Sequence, residues 1–287
     1  MISFRILDLI IALLYLSGAV SFLAGLIYSR KRVQDVSVSL TLTGFVLHTA
    51  DLALKYALGL GEVLTQSQFY ISLLAWTFLL IFLLLWWRLK LRFLSLIAAP
   101  LALLIFTWSL AISPATLPIP GLLQGLWFGL HIGSLFISIA LLAMAFGAGL
   151  AYLHLDRKIK SKSRMGNVTR DLPSLSTFDR VNHWAVLVGF PLFTIGTLAG
   201  FIWAAFTWKT IFSWDPKEIF TVAIWFIFAW LFHKRATGGW KGKKPAKLAI
   251  LIFVLSLASF VGINFFTETH HSLRPDGTQD IPFRPQS

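Results

Sequence analysis

Long apolar runs separated by short polar connections dominate the chain. A helix needs roughly 18 to 20 mostly apolar residues to cross the hydrocarbon core of a bilayer. By that measure the sequence predicts eight spans, near residues 7–29, 37–60, 69–87, 93–112, 122–154, 181–207, 217–236 and 248–268. The predicted fold is therefore all-α: a polytopic membrane helix bundle of about eight transmembrane helices.

The distribution of positive charge predicts how these spans are oriented. Four alternate connections hold nineteen of the 25 Lys and Arg residues: 30–32, 88–92, 157–180 and 234–247. In membrane proteins Lys and Arg accumulate in the cytoplasmic loops. We therefore predict a multi-pass protein of the cell's inner (plasma) membrane with these connections inside and both termini outside.

One integral-membrane domain, residues 1–287, accounts for the whole pattern. Residues 1–154 hold the first five spans, and 155–180 form the longest basic connection. Residues 181–273 hold the remaining spans and most of the motifs, and 274–287 are predicted to be an outer tail.

Composition narrows the class of protein. Hydrophobic residues make up 57% of the chain and charged residues 13%, with a mean hydropathy of +0.76, which excludes a soluble domain. The formal charge of +13 lies in short loops between spans, so we expect the lipid bilayer and no nucleic acid as a partner. Because cysteine is absent, this chain provides no disulfide, thiolate ligand or thioether link.

An aromatic segment, residues 203–218, joins the sixth and seventh spans. Its large rings are Trp203, Phe206, Trp208, Phe212 and Trp214. Such rings at a membrane boundary often act as interfacial anchors, because the ring is apolar while the indole N–H stays hydrated. They could equally form a flat apolar floor for a bound molecule, and the segment alone does not separate the two interpretations.

The aromatic segment ends in an ordered helix start. Asp215 is a typical N-cap residue, and proline, here Pro216, is favoured at the first helical position. Glu218 completes a pattern that resembles a capping box. We therefore predict that the aromatic rings are held rigidly against the start of the seventh helix.

Two histidines bracket this segment on the predicted outer side. His131 lies near the outer end of the fifth span, and His271 follows the eighth span, next to His270. Two neutral imidazoles facing each other across aromatic rings suit the axial positions of a haem iron. Three cations on the same side could pair with its propionates: Lys209, Lys217 and Arg274. The alternative for each histidine alone is interfacial polarity, but the bracketed pair favours ligation.

Other histidines are predicted at other depths. His48 lies near mid-membrane, with Asp51 and Lys55 on the same helical face. Ionisable groups in a span are functional candidates, but a self-neutralising Asp51–Lys55 pair beside a packed His48 is an equally good interpretation. His233 ends the seventh span, where it either ligates a second, inner haem or simply marks the inner interface.

In combination these residues resemble the cytochrome c assembly protein family, the tryptophan-rich "WWD" haem-handling membrane proteins with CcsA/ResC, CcmC and HemX-like branches. The similarity is strongest over residues 178–273. Its landmarks, in family order, are Phe178-Asp179, Gly189-Phe190-Pro191, the aromatic segment with Trp-Asp-Pro-Lys-Glu intact, His233-Lys234-Arg235, Gly239-Trp240-Lys241-Gly242, and Asn264 followed by His271-Ser272. Lys209 departs from the usual family glycine, and Phe212 stands where tryptophan is common.

The resemblance implies an external haem b (iron protoporphyrin IX) with His131 and His271 as axial ligands. It implies further haem contacts from the aromatic segment: Trp203, Trp208, Phe212, Trp214, Asp215 and Lys217. His233 matches the family's membrane-embedded histidine, and His48 is a looser candidate for the same inner site.

The implied function is to present or export haem on the outer face for attachment to apocytochrome c, together with a membrane partner subunit of cytochrome c assembly. No self-contained catalytic residues are implied, so the chain would at most be a subunit of a cytochrome c haem lyase or synthetase. The alternative is a HemX-like accessory or regulatory protein of haem (tetrapyrrole) biosynthesis. A third and weaker interpretation is a quinone- or proton-coupled redox module at His48 and Asp51.

Overall fold

The computed structural model describes residues 2–59, 66–89, 92–112, 127–162 and 172–266, and most of these residues are helical. The described residues contain eight α-helices: α1 (Ile2–Ile27), α2 (Lys31–Leu58), α3 (Ser67–Leu89), α4 (Ser95–Ala111), α5 (Ser134–Lys160), α6 (Leu175–Trp208), α7 (Pro216–Ala236) and α8 (Lys243–Phe266). A 3₁₀ turn, Arg92–Leu94, precedes α4, and a π-helical turn, Trp127–Gly133, precedes α5.

Six of these helices, α1 to α3 and α5 to α7, are long and apolar enough to cross a membrane. Helix α4 is apolar but has only 17 residues, and α8 has 24. The predicted polytopic helix bundle is confirmed. The first and last predicted spans end within a few residues of the ends of α1 and α8. Three predicted spans, the second, fifth and eighth, include residues outside the described part of the chain, namely 60, 122–126 and 267–268.

The basic connection after the fifth span is shorter than the predicted loop 155–180. Helix α5 continues to Lys160, and α6 already begins at Leu175. Basic residues in the last turn of α5 complement the negative end of the helix dipole. At the other end of this connection, Ser174 caps the N-terminus of α6 by accepting a hydrogen bond from the backbone N–H of Thr177 at 3.4 Å.

Helix α5 is the centre of the bundle and packs against α3, α4, α6 and α8. Its buried face is rich in small residues, among them Ala140, Ala143 and Ala148, which are fully buried. Small side chains let helix backbones approach closely in membranes. The α1–α2 hairpin packs against α3 and α4 on one side of this centre, and α7 packs against α6 and α8 on the other.

A buried arginine joins the ends of α6 and α7 to the connection that follows. The side chain of Arg235 is 1% exposed, and its Nη1 donates to both carboxylate oxygens of Asp179 at 3.0 and 3.2 Å. Nη1 also donates to the carbonyl oxygen of Trp240, and Nη2 donates to that of Asp179. Asp179 Oδ1 in turn accepts the backbone N–H of Gly242 at 2.8 Å. This clamp determines the shape of the α7–α8 connection.

We expect Asp179→Ala to lower the free energy of unfolding by about 3–5 kcal/mol, because it leaves a buried guanidinium without its carboxylate. Asp156→Ala is the matched control, because the partners of Asp156, Lys160 and Lys243, have side chains 66% and 42% exposed. Loss of those pairs should cost at most about 1 kcal/mol. Reversible unfolding in mixed detergent micelles measures both variants, and equal losses would contradict the clamp.

Candidate functional site

Helices α6 and α7 are joined by residues 209–215, which we call the aromatic connection. Lys209, the C-cap of α6, has a φ of +61°, and Trp214 has a φ of +59°. Left-handed backbone is uncommon for residues other than glycine, and it persists only where the surroundings hold it. A glycine at position 209 would adopt this conformation without the steric cost that lysine carries.

Two buried carboxylates hold the aromatic connection against α7. Asp215 Oδ1 accepts the backbone N–H of Lys217 at 2.8 Å, which confirms the predicted N-cap. Glu218 Oε2 accepts the backbone N–H of Ser213 at 2.7 Å, two residues further back than in a standard capping box. Asp215 and Glu218 are each 6% exposed. The predicted helix start is therefore present in an extended form that also includes Ser213.

Some aromatic rings of this region are exposed at the surface, and others are buried. The ring centroid of Phe212 lies 6.0 Å from that of Phe201 and 5.1 Å from that of Trp214. Phe212 and Trp214 meet edge to face. Trp214 is 77% exposed, whereas Trp203 is only 7% exposed and belongs to the core. The side chain of Trp208 lies outside what the structure describes. The exposed rings are thus Trp214 and Phe206, which is 56% exposed, whereas Phe212 is half-buried and contacts both Trp214 and Phe201.

His131 is oriented by backbone from α6. It lies in the π-helical turn before α5, and its Nδ1 is 2.7 Å from the carbonyl oxygen of Gly196. A carbonyl oxygen only accepts hydrogen bonds, so Nδ1 carries the hydrogen and the neutral ring has its lone pair on Nε2. A Cβ added to Gly200 would lie 2.6 Å from Cε1 of the ring. The imidazole therefore needs glycine at position 200.

The ammonium group of Lys217 is close enough to His131 to interact with it electrostatically. Lys217 is half-buried at the first turn of α7. The structure therefore brings together His131 and the aromatic connection, with two of the three predicted cations, Lys209 and Lys217. His270, His271 and Arg274 lie outside the described residues, so the second axial ligand stays a prediction.

His48 is placed in the α1–α3 part of the bundle, apart from the aromatic connection. It is fully buried, with Nδ1 3.0 Å from the hydroxyl of Tyr15 and Nε2 2.8 Å from the hydroxyl of Ser72. Nearby, Lys55 Nζ lies 2.8 Å from Asp51 Oδ2 and 3.0 Å from Asp8 Oδ1. This geometry corresponds to the packing alternative, with Asp8 as an additional partner of the lysine.

His233 lies in the last turn of α7 and is exposed. Its Nε2 is 3.4 Å from the hydroxyl of Thr237, and its neighbour Lys234 places Nζ 4.4 Å above the ring of Trp230. It is therefore at the opposite end of α7 from the aromatic connection.

The glycines that contact His131 were not among the predicted site residues. Gly196 and Gly200 are spaced four apart within a span, a small-xxx-small pattern that marks close helix contacts in membranes. That spacing was the available signal, but it does not say which residue of the neighbouring helix would meet the glycines.

A model of the cytochrome c assembly protein family matches residues 65–271. This chain belongs to that family. It is 28% identical over 276 residues to the cytochrome c biogenesis protein CcsA of Guillardia theta, covering 90% of this chain and 92% of the relative. It is 29% identical over 231 residues to CcsA of Mesostigma viride, covering 72% and 76%.

A shorter stretch reaches higher identity within the same family. The chain is 41% identical over 113 residues to CcsA of Gloeothece citriformis (strain PCC 7424), covering 37% of this chain and 34% of the relative. The match to the family model contains His131 and the aromatic connection, and it begins after α1, α2 and His48.

We expect Lys209→Gly to raise the free energy of unfolding by about 0.5–1 kcal/mol, because glycine adopts the left-handed C-cap without steric cost. Lys209→Ala removes the same charge but keeps a Cβ, so it should give no such gain. Unfolding of both variants in mixed micelles measures the difference. A gain of equal size in the alanine variant would assign the effect to charge instead of backbone conformation.

Proposed function

We propose that this family member binds haem at the aromatic connection and presents it for attachment to apocytochrome c. Membership of the cytochrome c assembly family supports the general role, and the names of the relatives, cytochrome c biogenesis protein CcsA, favour it over a HemX-like regulatory role. The observation that carries the haem assignment is the hydrogen bond from His131 Nδ1 to Gly196.

The residues present fit a haem. A haem-ligating histidine coordinates iron through a neutral ring nitrogen while its other ring N–H donates to a fixed acceptor. The Gly196 carbonyl is such an acceptor, which leaves coordination to Nε2 of His131. The exposed ring of Trp214 and the half-buried ring of Phe212 offer apolar faces for the macrocycle, and Lys217 offers a cation for a propionate. His271 remains the proposed second ligand on the resemblance alone.

In this proposal haem is the cargo, and its vinyl groups supply the carbon atoms that become bonded to protein sulfur. The chain contains no cysteine, so the thiols belong to the apocytochrome. The residues of this chain bind and orient the cargo. Asp215 and Glu218 keep the aromatic connection in one shape, and Gly196 and Gly200 hold the His131 ring.

Absorption spectra of the purified full-length chain, with bound haem measured per protein, test this function. We expect a six-coordinate haem spectrum in the unmodified chain and a loss of haem of roughly tenfold or more in His131→Ala and His271→Ala. His154→Ala, at the far end of α5, is the control and should keep its haem. If no Soret band forms under haem excess, the proposed function is wrong.

We expect Gly200→Ala to weaken haem binding by about 10- to 100-fold, because the new methyl group displaces the His131 ring. Gly129→Ala is the matched control, since, apart from its own chain neighbours and helix backbone, no atom of the described residues lies within 4 Å of the Cβ it would add. Haem titration and electron paramagnetic resonance of the bound ferric haem measure affinity and ligand orientation. Identical titrations and spectra for both variants would refute a positioning role for Gly200.

A further inference from the structure

A further candidate site lies at the other end of α6 and α7 and takes no part in the proposed function. It is a cleft of about 570 Å³ between α5, the first turns of α6, and the α7–α8 connection. Residues from all three elements line it: Tyr152, Asp179, Arg180, His183, Trp240 and Lys241. It belongs to the face that carries most of the Lys and Arg residues.

The cleft has an excess of positive charge. The one carboxylate among its described lining residues, Asp179, is already bound to Arg235 and to the backbone N–H of Gly242. Arg180 and Lys241 are exposed and form no ion pair within the described part of the chain. His183 adds a further potential donor to the lining. Two cations are therefore available to an anionic ligand.

The walls of the cleft are built in advance of any ligand. Gly239 and Gly242 have φ values of +59° and +81°, which suit the sharp path of the α7–α8 connection. A Cβ at Gly242 would lie 2.8 Å from the hydroxyl of Tyr152, so the connection rests directly against α5. Together with the Arg235 clamp, these contacts fix the Trp240 and Lys241 backbone beside Arg180.

Exposed tryptophans place the cleft at the boundary of the bilayer. Trp184 and Trp230, on α6 and α7, are 59% and 53% exposed. Lys234 lies over the Trp230 ring, and Lys244 Nζ lies 5.6 Å from the Trp240 ring centroid. Aromatic and basic residues of this kind collect at the level of the lipid headgroups. A ligand that enters here comes with a polar, charged group next to an apolar body.

We propose that this cleft binds the phosphate of an anionic phospholipid, with Arg180 and Lys241 as its cationic contacts. Basic pockets between transmembrane helices are suited to anionic headgroups, and charge-assisted hydrogen bonds to phosphate are the strong ones. The volume of about 570 Å³ accommodates a glycerophosphate headgroup, and the lining includes the rings of Trp240 and Tyr152 beside the two cations. The phosphate chemistry is shared with free inorganic phosphate, which the test separates from lipid.

The test measures binding of short-chain phosphatidylglycerol to the full-length protein in neutral detergent micelles. We expect Arg180→Gln and Lys241→Gln each to weaken binding about fivefold, and the double variant roughly thirtyfold. Arg32→Gln/Arg157→Gln is the matched control, because it removes the same charge from the same face at exposed residues that do not line the cleft. This control should bind as the unmodified chain does.

The other outcomes overturn the proposal. Unchanged binding in the Arg180→Gln/Lys241→Gln variant excludes the cleft as the site, and an equal loss in the control variant assigns binding to general surface charge. Inorganic phosphate that competes at the same concentration as the lipid would make the site a free-phosphate site. Unfolding measurements on every variant check that the clamp of Arg235 and Asp179, which is left intact, still holds the connection.

Discussion

The close approach of α5 and α6 is the constraint on which the candidate site depends. Glycines at 196 and 200 bring the backbone of α6 against the imidazole of His131. A polar ring in a membrane span costs free energy unless it is hydrogen-bonded, and the Gly196 carbonyl meets that need while it also sets the ring's orientation. The aromatic connection begins roughly two helical turns further along α6, so its position relative to His131 follows from the same helix packing.

The same type of interaction, a carboxylate that accepts a hydrogen bond from a backbone N–H, stabilises both ends of the α6–α7 pair. At one end Glu218 accepts a backbone N–H of the aromatic connection, and at the other end Asp179 accepts one from the α7–α8 connection. Backbone groups at or near the membrane need internal partners, and a buried carboxylate offers two strong acceptors. The consequence differs between the ends: one displays aromatic rings, and the other displays cations around a cleft.

The partners of His48 and Lys55 lie on the first three helices. His48 is bound by Tyr15 and Ser72, and Lys55 lies between two carboxylates. Each of these contacts joins α1 to α2 or α2 to α3, or lies within α2. The cluster thereby ties the N-terminal hairpin to the bundle, in a part of the chain that precedes the family match.

The sequence by itself determined the approximate bounds of the eight helices in the described part of the chain, because a membrane span needs a long apolar run whatever the helix packs against. It also determined the Asp215 helix start, since capping depends on residues next to each other in the chain. Only the tertiary structure decided that Trp203 is core while Trp214 is surface, that Glu218 reaches Ser213, and that Gly196 and Gly200 orient His131. Those facts depend on which faces of distant helices meet, and an apolar membrane helix carries little polar pattern to show which of its faces turns inward.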